Sequence, residues 1–66
     1  MPARRDLNRV LRSMQRLEDA KRDRARAIAR AHGNGWSLRQ LAAATGLSHT
    51  AVRMIAAEGR EEEETA

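Results

Sequence analysis

The chain has no cysteine, no tyrosine and no phenylalanine, and a single tryptophan and a single proline among its 66 residues. Without cysteine there can be no disulfide and no thiolate zinc site. Its two histidines, His32 and His49, stand too far apart to form an i,i+4 pair of metal ligands on one helix. Aromatic and β-branched residues are scarce and strict alternation is absent, so no strand is predicted. No apolar run approaches the ~20 residues of a membrane-spanning helix. Met1 to Arg5 is followed by no apolar stretch, so no secretory signal is expected and the cytoplasm is the default compartment. Also missing are a nucleophile with its base, paired carboxylates in a cleft and a phosphate-cradling glycine loop. No enzymatic activity, metal, cofactor or small-molecule substrate is therefore expected.

Arginine is abundant. Residues 1–31 carry nine Arg and one Lys against four acids, and residues 32–60 carry three Arg against one acid. Glu61 to Glu64 then form an acidic run, leaving a net charge of +4. A basic body ahead of an acidic end favours polyanionic partners and speeds their capture. Twelve Arg against one Lys, with many Ala, fits a GC-rich bacterial or phage coding sequence. A chain this short keeps much of its surface wet, which leaves helix packing and self-association as its stabilisers.

Leu7, Val10, Leu11, Met14 and Leu17 recur at 3/4 spacing, and Ala20, Ala25, Ile28 and Ala29 continue the stripe. No Gly or Pro interrupts the chain between Pro2 and Gly33. One long amphipathic helix over 6–32 is predicted, capped at Asp6 and preceded by a loose basic arm over 1–5. Gly33 or Asn34 is expected to take the left-handed conformation that closes it. Ser37 with Gln40 makes a capping box, and Trp36 with Leu41 a hydrophobic staple that puts Trp36 in the core. Ser48 caps a third helix, with Leu47 and Val52 in staple positions, and Gly46 supplies the turn between. Leu38, Leu41 and Ala42 on one helix and Val52 and Ile55 on the next face inward. Residues 36–58 thus read as two short helices joined by a tight turn, and 59–66 as a disordered acidic tail.

That layout suits a second helix laid in the major groove of DNA. Leu41-Ala42, Gly46-Leu47-Ser48, Val52 and Ile55 resemble the core signature of bacterial helix-turn-helix DNA-binding regulators. The stretch from about Ala25 to Ala57, half of the chain, looks like the compact three-helix form of repressors, sigma-like domains and recombinase DNA-binding domains. The resemblance implies an all-α fold, a long helix followed by a helix-turn-helix pair, and a nucleoid-associated regulator of transcription that binds double-stranded DNA.

With Val52 and Ile55 turned inward, His49, Thr50 and Arg53 face outward as base-reading candidates, with Met54 beside them. A guanidinium can bind guanine O6 and N7 together, which makes Arg53 the leading one. Ser37, Arg39, Gln40 and Ser48 stand at helix starts, where phosphate oxygens are welcome. For Ser37, Gln40 and Ser48 ordinary capping explains the same residue types. Arg4 and Arg5 could reach a minor groove from the arm.

The first helix has more apolar face than three short helices can cover. Leu7, Val10, Leu11, Met14 and Leu17 are therefore expected to form a homodimer interface, parallel or antiparallel, unless the helix folds back on its own domain. Two other readings use the same residues. One is a protein-interaction module that binds RNA polymerase, a sigma factor or another regulator through that face. The other is a phage or plasmid accessory protein that binds DNA architecturally.

Overall fold

The computed structural model describes residues 2–65 and, among them, is all-helical with no strand. Three helices follow in order: α1 (Arg4–Gly33), α2 (Leu38–Thr45) and α3 (His49–Thr65). The single long helix predicted at the N-terminal end is present. Its 30 residues measure ~45 Å at 1.5 Å per residue. None of the described helices is long and apolar enough to cross a membrane.

Only the C-terminal third of α1 is packed. Ala25, Ile28 and Ala29 are buried there, together with Val52 and Ala56 of α3. Leu38, Leu41, Ala42, Leu47 and Ile55 close around them. The small residues at this crossing let the backbones approach closely. Gly59 of α3 lies so near α1 that a Cβ there would overlap the Ala25 carbonyl.

Residues 4–24 of α1 project from this unit, exposed throughout. The fold-back alternative is not adopted, and the molecule is a rod measuring 53 × 27 × 14 Å. Its radius of gyration is 15.6 Å, against about 11 Å for a compact chain of this length. Leu7, Val10 and Leu11 precede Ala25, Ile28 and Ala29 by 18 residues, five full turns. They therefore continue the same helix face that α3 covers further along.

Several local expectations need correction. The helix begins at Arg4, not near Asp6, and Ala3 stands at the cap with no side-chain bond. Asp6 instead lies in the first turn, its N–H donating to the Ala3 carbonyl at 3.1 Å, where its charge suits the helix dipole. Arg4 and Arg5 are thus helical rather than part of a loose arm; Met1 lies outside the described residues. At the other end Asn34 has φ −88°, and Gly35, at φ 113°, is the residue with positive φ. The Asn34 N–H reaches the Arg30 and Ala31 carbonyls without a left-handed residue at 33 or 34.

The acidic segment also differs from expectation. Residues 59–65 continue α3 instead of forming a disordered tail; Ala66 lies outside the described residues. Glu62 and Glu63 reach across to Arg26 and Arg30 of α1, at 3.4 and 3.3 Å. Opposite charge from the neighbouring helix offsets the repulsion within the glutamate run, and the close seat of Gly59 carries the helix past residue 58.

Candidate nucleic-acid interface

The turn between α2 and α3 is held by local bonds. Gly46 adopts φ 76° and donates its N–H to the Ala42 carbonyl at 3.0 Å. The Thr45 hydroxyl donates to the Leu41 carbonyl at 2.8 Å and accepts from the Leu47 N–H at 3.3 Å. The Ser48 hydroxyl oxygen accepts from the Ala51 N–H at 3.0 Å and starts α3. Three residues, 46–48, thus separate the two helices.

The orientation of α3 follows from its buried side. Val52 is 0% exposed and Ala56 is buried beside it. At 100° per residue Thr50 and Met54 lie opposite Val52, Arg53 lies about 100° from it and His49 about 60° from it, in the first turn of the helix; all four are exposed. The three base-reading candidates therefore fall within an arc of about 100° at the N-terminal end of α3. Arg60 lies seven residues beyond Arg53, nearly in line with it, and is also exposed. Sequence reasoning misses it because the pattern predicts that the third helix ends first.

The capping box at the start of α2 is formed. The Ser37 hydroxyl oxygen accepts from the Gln40 N–H at 3.0 Å, and the Gln40 Oε1 accepts from the Ser37 N–H at 2.9 Å. Ser37, Gln40 and Ser48 thus use one side-chain oxygen each in capping, while the Ser hydroxyl protons and the Gln40 amide N–H groups are still able to donate. Arg39 is exposed in the same turn.

Trp36 departs from the staple expected for it: its side is open to solvent, with 57% of the residue exposed. Its main chain, not its ring, is anchored. The Trp36 N–H donates to the Ala31 carbonyl at 3.1 Å, and its carbonyl lies 2.9 Å from the His32 Nδ1. The indole lines a shallow depression with Asn34, Gly35 and Gln40.

A second basic surface lies on α1. Arg5, Arg9, Arg12 and Arg16 recur at spacings of four, three and four, so they form a ridge opposite the apolar stripe. Arg9, Arg12 and Arg16 border a shallow depression. Among the described residues none of the four makes an ion pair. The ridge is legible in the sequence as periodicity, yet net charge alone conceals it. On the opposite side Leu7, Val10, Leu11, Met14 and Leu17 are each 51–58% exposed, a contiguous apolar surface on a rod that no other described part of the chain covers.

Compared with known proteins, the chain matches no family model, no curated sequence and no solved structure.

Proposed function

We propose that the chain is a helix-turn-helix regulator of transcription that binds duplex DNA as a homodimer, with α3 in the major groove. One observation carries the reading: α3 buries Val52 and Ala56 while His49, Thr50 and Arg53 are all exposed near its N-terminal end, just after a sharp corner. A recognition helix contacts base edges with side chains near its N-terminal end. In this reading Arg53 binds a guanine, Thr50 touches a base edge or a thymine methyl, and His49 donates to a base or a phosphate. Arg39, Ser37, Gln40 and Ser48 hold the phosphate backbone and set register. Arg60 extends the basic contact along the strand, and Glu61 and Glu64 beyond it limit the footprint by repulsion.

The exposed stripe of α1 supports the homodimer reading, because an apolar surface of this extent calls for a covering partner. Selection of bound duplexes from a random pool tests the function. Enrichment of a common motif, with affinity falling steeply as salt rises, is the expected result. Salt-sensitive binding without an enriched motif would favour the architectural role. Absence of any salt-sensitive binding would leave the apolar face, and a protein partner in the transcription machinery, as the functional surface.

A further inference from the structure

The homodimer reading leaves its geometry open, and the packing of α3 on α1 narrows it. We infer that two copies pair through residues 7–17 of α1 with their helices antiparallel, the first turn of each α1 set beside the other's α3. The inference rests on the homodimer reading and specifies how it is built.

The steric observation comes first. Leu7, Val10 and Leu11 share a helix face with Ala25, Ile28 and Ala29, five turns on, and α3 already sits over those three. A parallel partner lying on the stripe would continue along the same face and run into α3 of both chains. An antiparallel partner brings only the first turn of its α1 beside the end of α3, rather than laying the second half of a helix along it.

Register follows from the stripe. In heptad terms Leu7 and Met14 take a positions, Val10 and Leu17 take d positions, and Leu11 lies beside the seam at e. Antiparallel seams pair a with d of the other chain. A single register seats all four seam residues against apolar partners: Leu7 on Leu17 and Val10 on Met14, each pair occurring twice. Shifting by one heptad in either direction sets Lys21 and Arg24 against the seam or leaves half of it empty. The twofold axis then passes near residue 12, where Leu11 meets its own copy.

Charge agrees with this register. Arg4 and Glu18 both lie at e, and the antiparallel alignment brings each Arg4 beside a Glu18 of the second copy. Glu18, which also meets Lys21 at 3.7 Å, borders a depression between α1 and the end of α3 that Lys21, Arg22, Glu58 and Glu62 also line. The first arginine of the incoming helix therefore arrives at a rim of three carboxylates and two cations. A parallel in-register pair would set Lys21 on Lys21 and Arg24 on Arg24 instead. Leu7, Val10, Leu11, Met14 and Leu17 are each 51–58% exposed, so pairing the two stripes takes apolar surface of both copies out of water. The Arg5, Arg9, Arg12 and Arg16 ridges stay outside, facing solvent.

The absence of cysteine makes the test clean. Ser13 is at g, where antiparallel copies are adjacent across the axis and parallel copies lie on opposite sides of the coil. Ser13→Cys is expected to form an intermolecular disulfide under mild oxidation. Spin labels at Ala3→Cys are expected ~27 Å apart along the axis, 18 residues of rise, with sedimentation of the full chain giving a dimer. Labels within about 10 Å of each other, with no Ser13 disulfide, would overturn the antiparallel arrangement while leaving the homodimer standing. A monomer at every concentration would remove both. Leu11→Glu, on an exposed position, is expected to give a monomer of unchanged helicity in the 25–62 unit. None of these measurements involves DNA, so their outcome is independent of the DNA-binding reading.

Discussion

Gly59 of α3 rests against the main chain of α1 at Ala25: a side-chain carbon on Gly59 would overlap the Ala25 carbonyl and come within 2.8 Å of the Ala29 Cβ. A glycine inside a helix ordinarily costs stability, roughly 0.5–1 kcal/mol relative to alanine. Here the close approach of two backbones outweighs that cost. Gly59→Ala is expected to destabilise the protein by about 1–3 kcal/mol through overpacking. Gly33→Ala, whose new methyl would meet nothing within 4 Å, should stabilise it by about 0.4–1 kcal/mol. Opposite shifts of the thermal midpoint test the pair; equal shifts would contradict the close approach.

Val52 is the largest side chain that is fully buried. Val52→Ala is expected to cost about 1.5–3 kcal/mol, and the midpoint should fall by roughly 4–8 °C per kcal/mol in a domain of this size. Met54, two residues away and exposed, should tolerate alanine within about 0.5 kcal/mol. Chemical denaturation of both variants measures the contrast and checks which side of α3 faces the core.

The glutamates at the end of α3 act as a clasp. Glu62 meets Arg26 and Glu63 meets Arg30, in pairs that are partly solvent-exposed. Each is expected to contribute no more than about 1 kcal/mol, less at high salt. Removing residues 61–66 should lower the helical signal by more than the excised residues account for, because Gly59 loses part of the helix that holds it on α1. Glu62→Gln with Glu63→Gln should leave helicity nearly unchanged and make stability less dependent on salt. Hydrogen exchange at residues 60–64 as fast as in an unstructured peptide would contradict the clasp.

Arg53 and the ridge on α1 should have different effects on DNA binding. Arg53→Ala is expected to relax preference at one base pair and cost about 1–3 kcal/mol there. Arg9→Ala, Arg12→Ala and Arg16→Ala should leave base preference unaltered. Any of these three arginines that neutralises a phosphate should, once replaced, make the salt dependence shallower by about 0.9 in log–log slope. Equal weakening across all sequences for Arg53→Ala would reassign it to the backbone.

Much of the architecture is written locally. The Ser37–Gln40 capping box, the Ser48 cap and the Gly46 corner each involve residues within four positions of one another. Such bonds form wherever the chain turns helical, so residue types and spacing suffice to read them. The inward set Leu38, Leu41, Val52 and Ile55, and with it the exposure of Thr50 and Arg53, follows from the helical period once the helices exist. Trp36 shows the limit of that reasoning: its staple position is legible, but the bonds of its main chain to Ala31 and His32 turn the ring outward.

Sequence alone determined that this chain is helical, where its tight corner lies and which face of the last helix is apolar, because those properties depend on periodicity and on caps a few residues long. Tertiary structure decided how far that helix runs, which glycine must remain a glycine and which half of the long stripe is covered. These depend on Ala25 meeting Gly59, Arg26 meeting Glu62 and Arg30 meeting Glu63. Partners more than thirty residues apart leave no mark on local spacing.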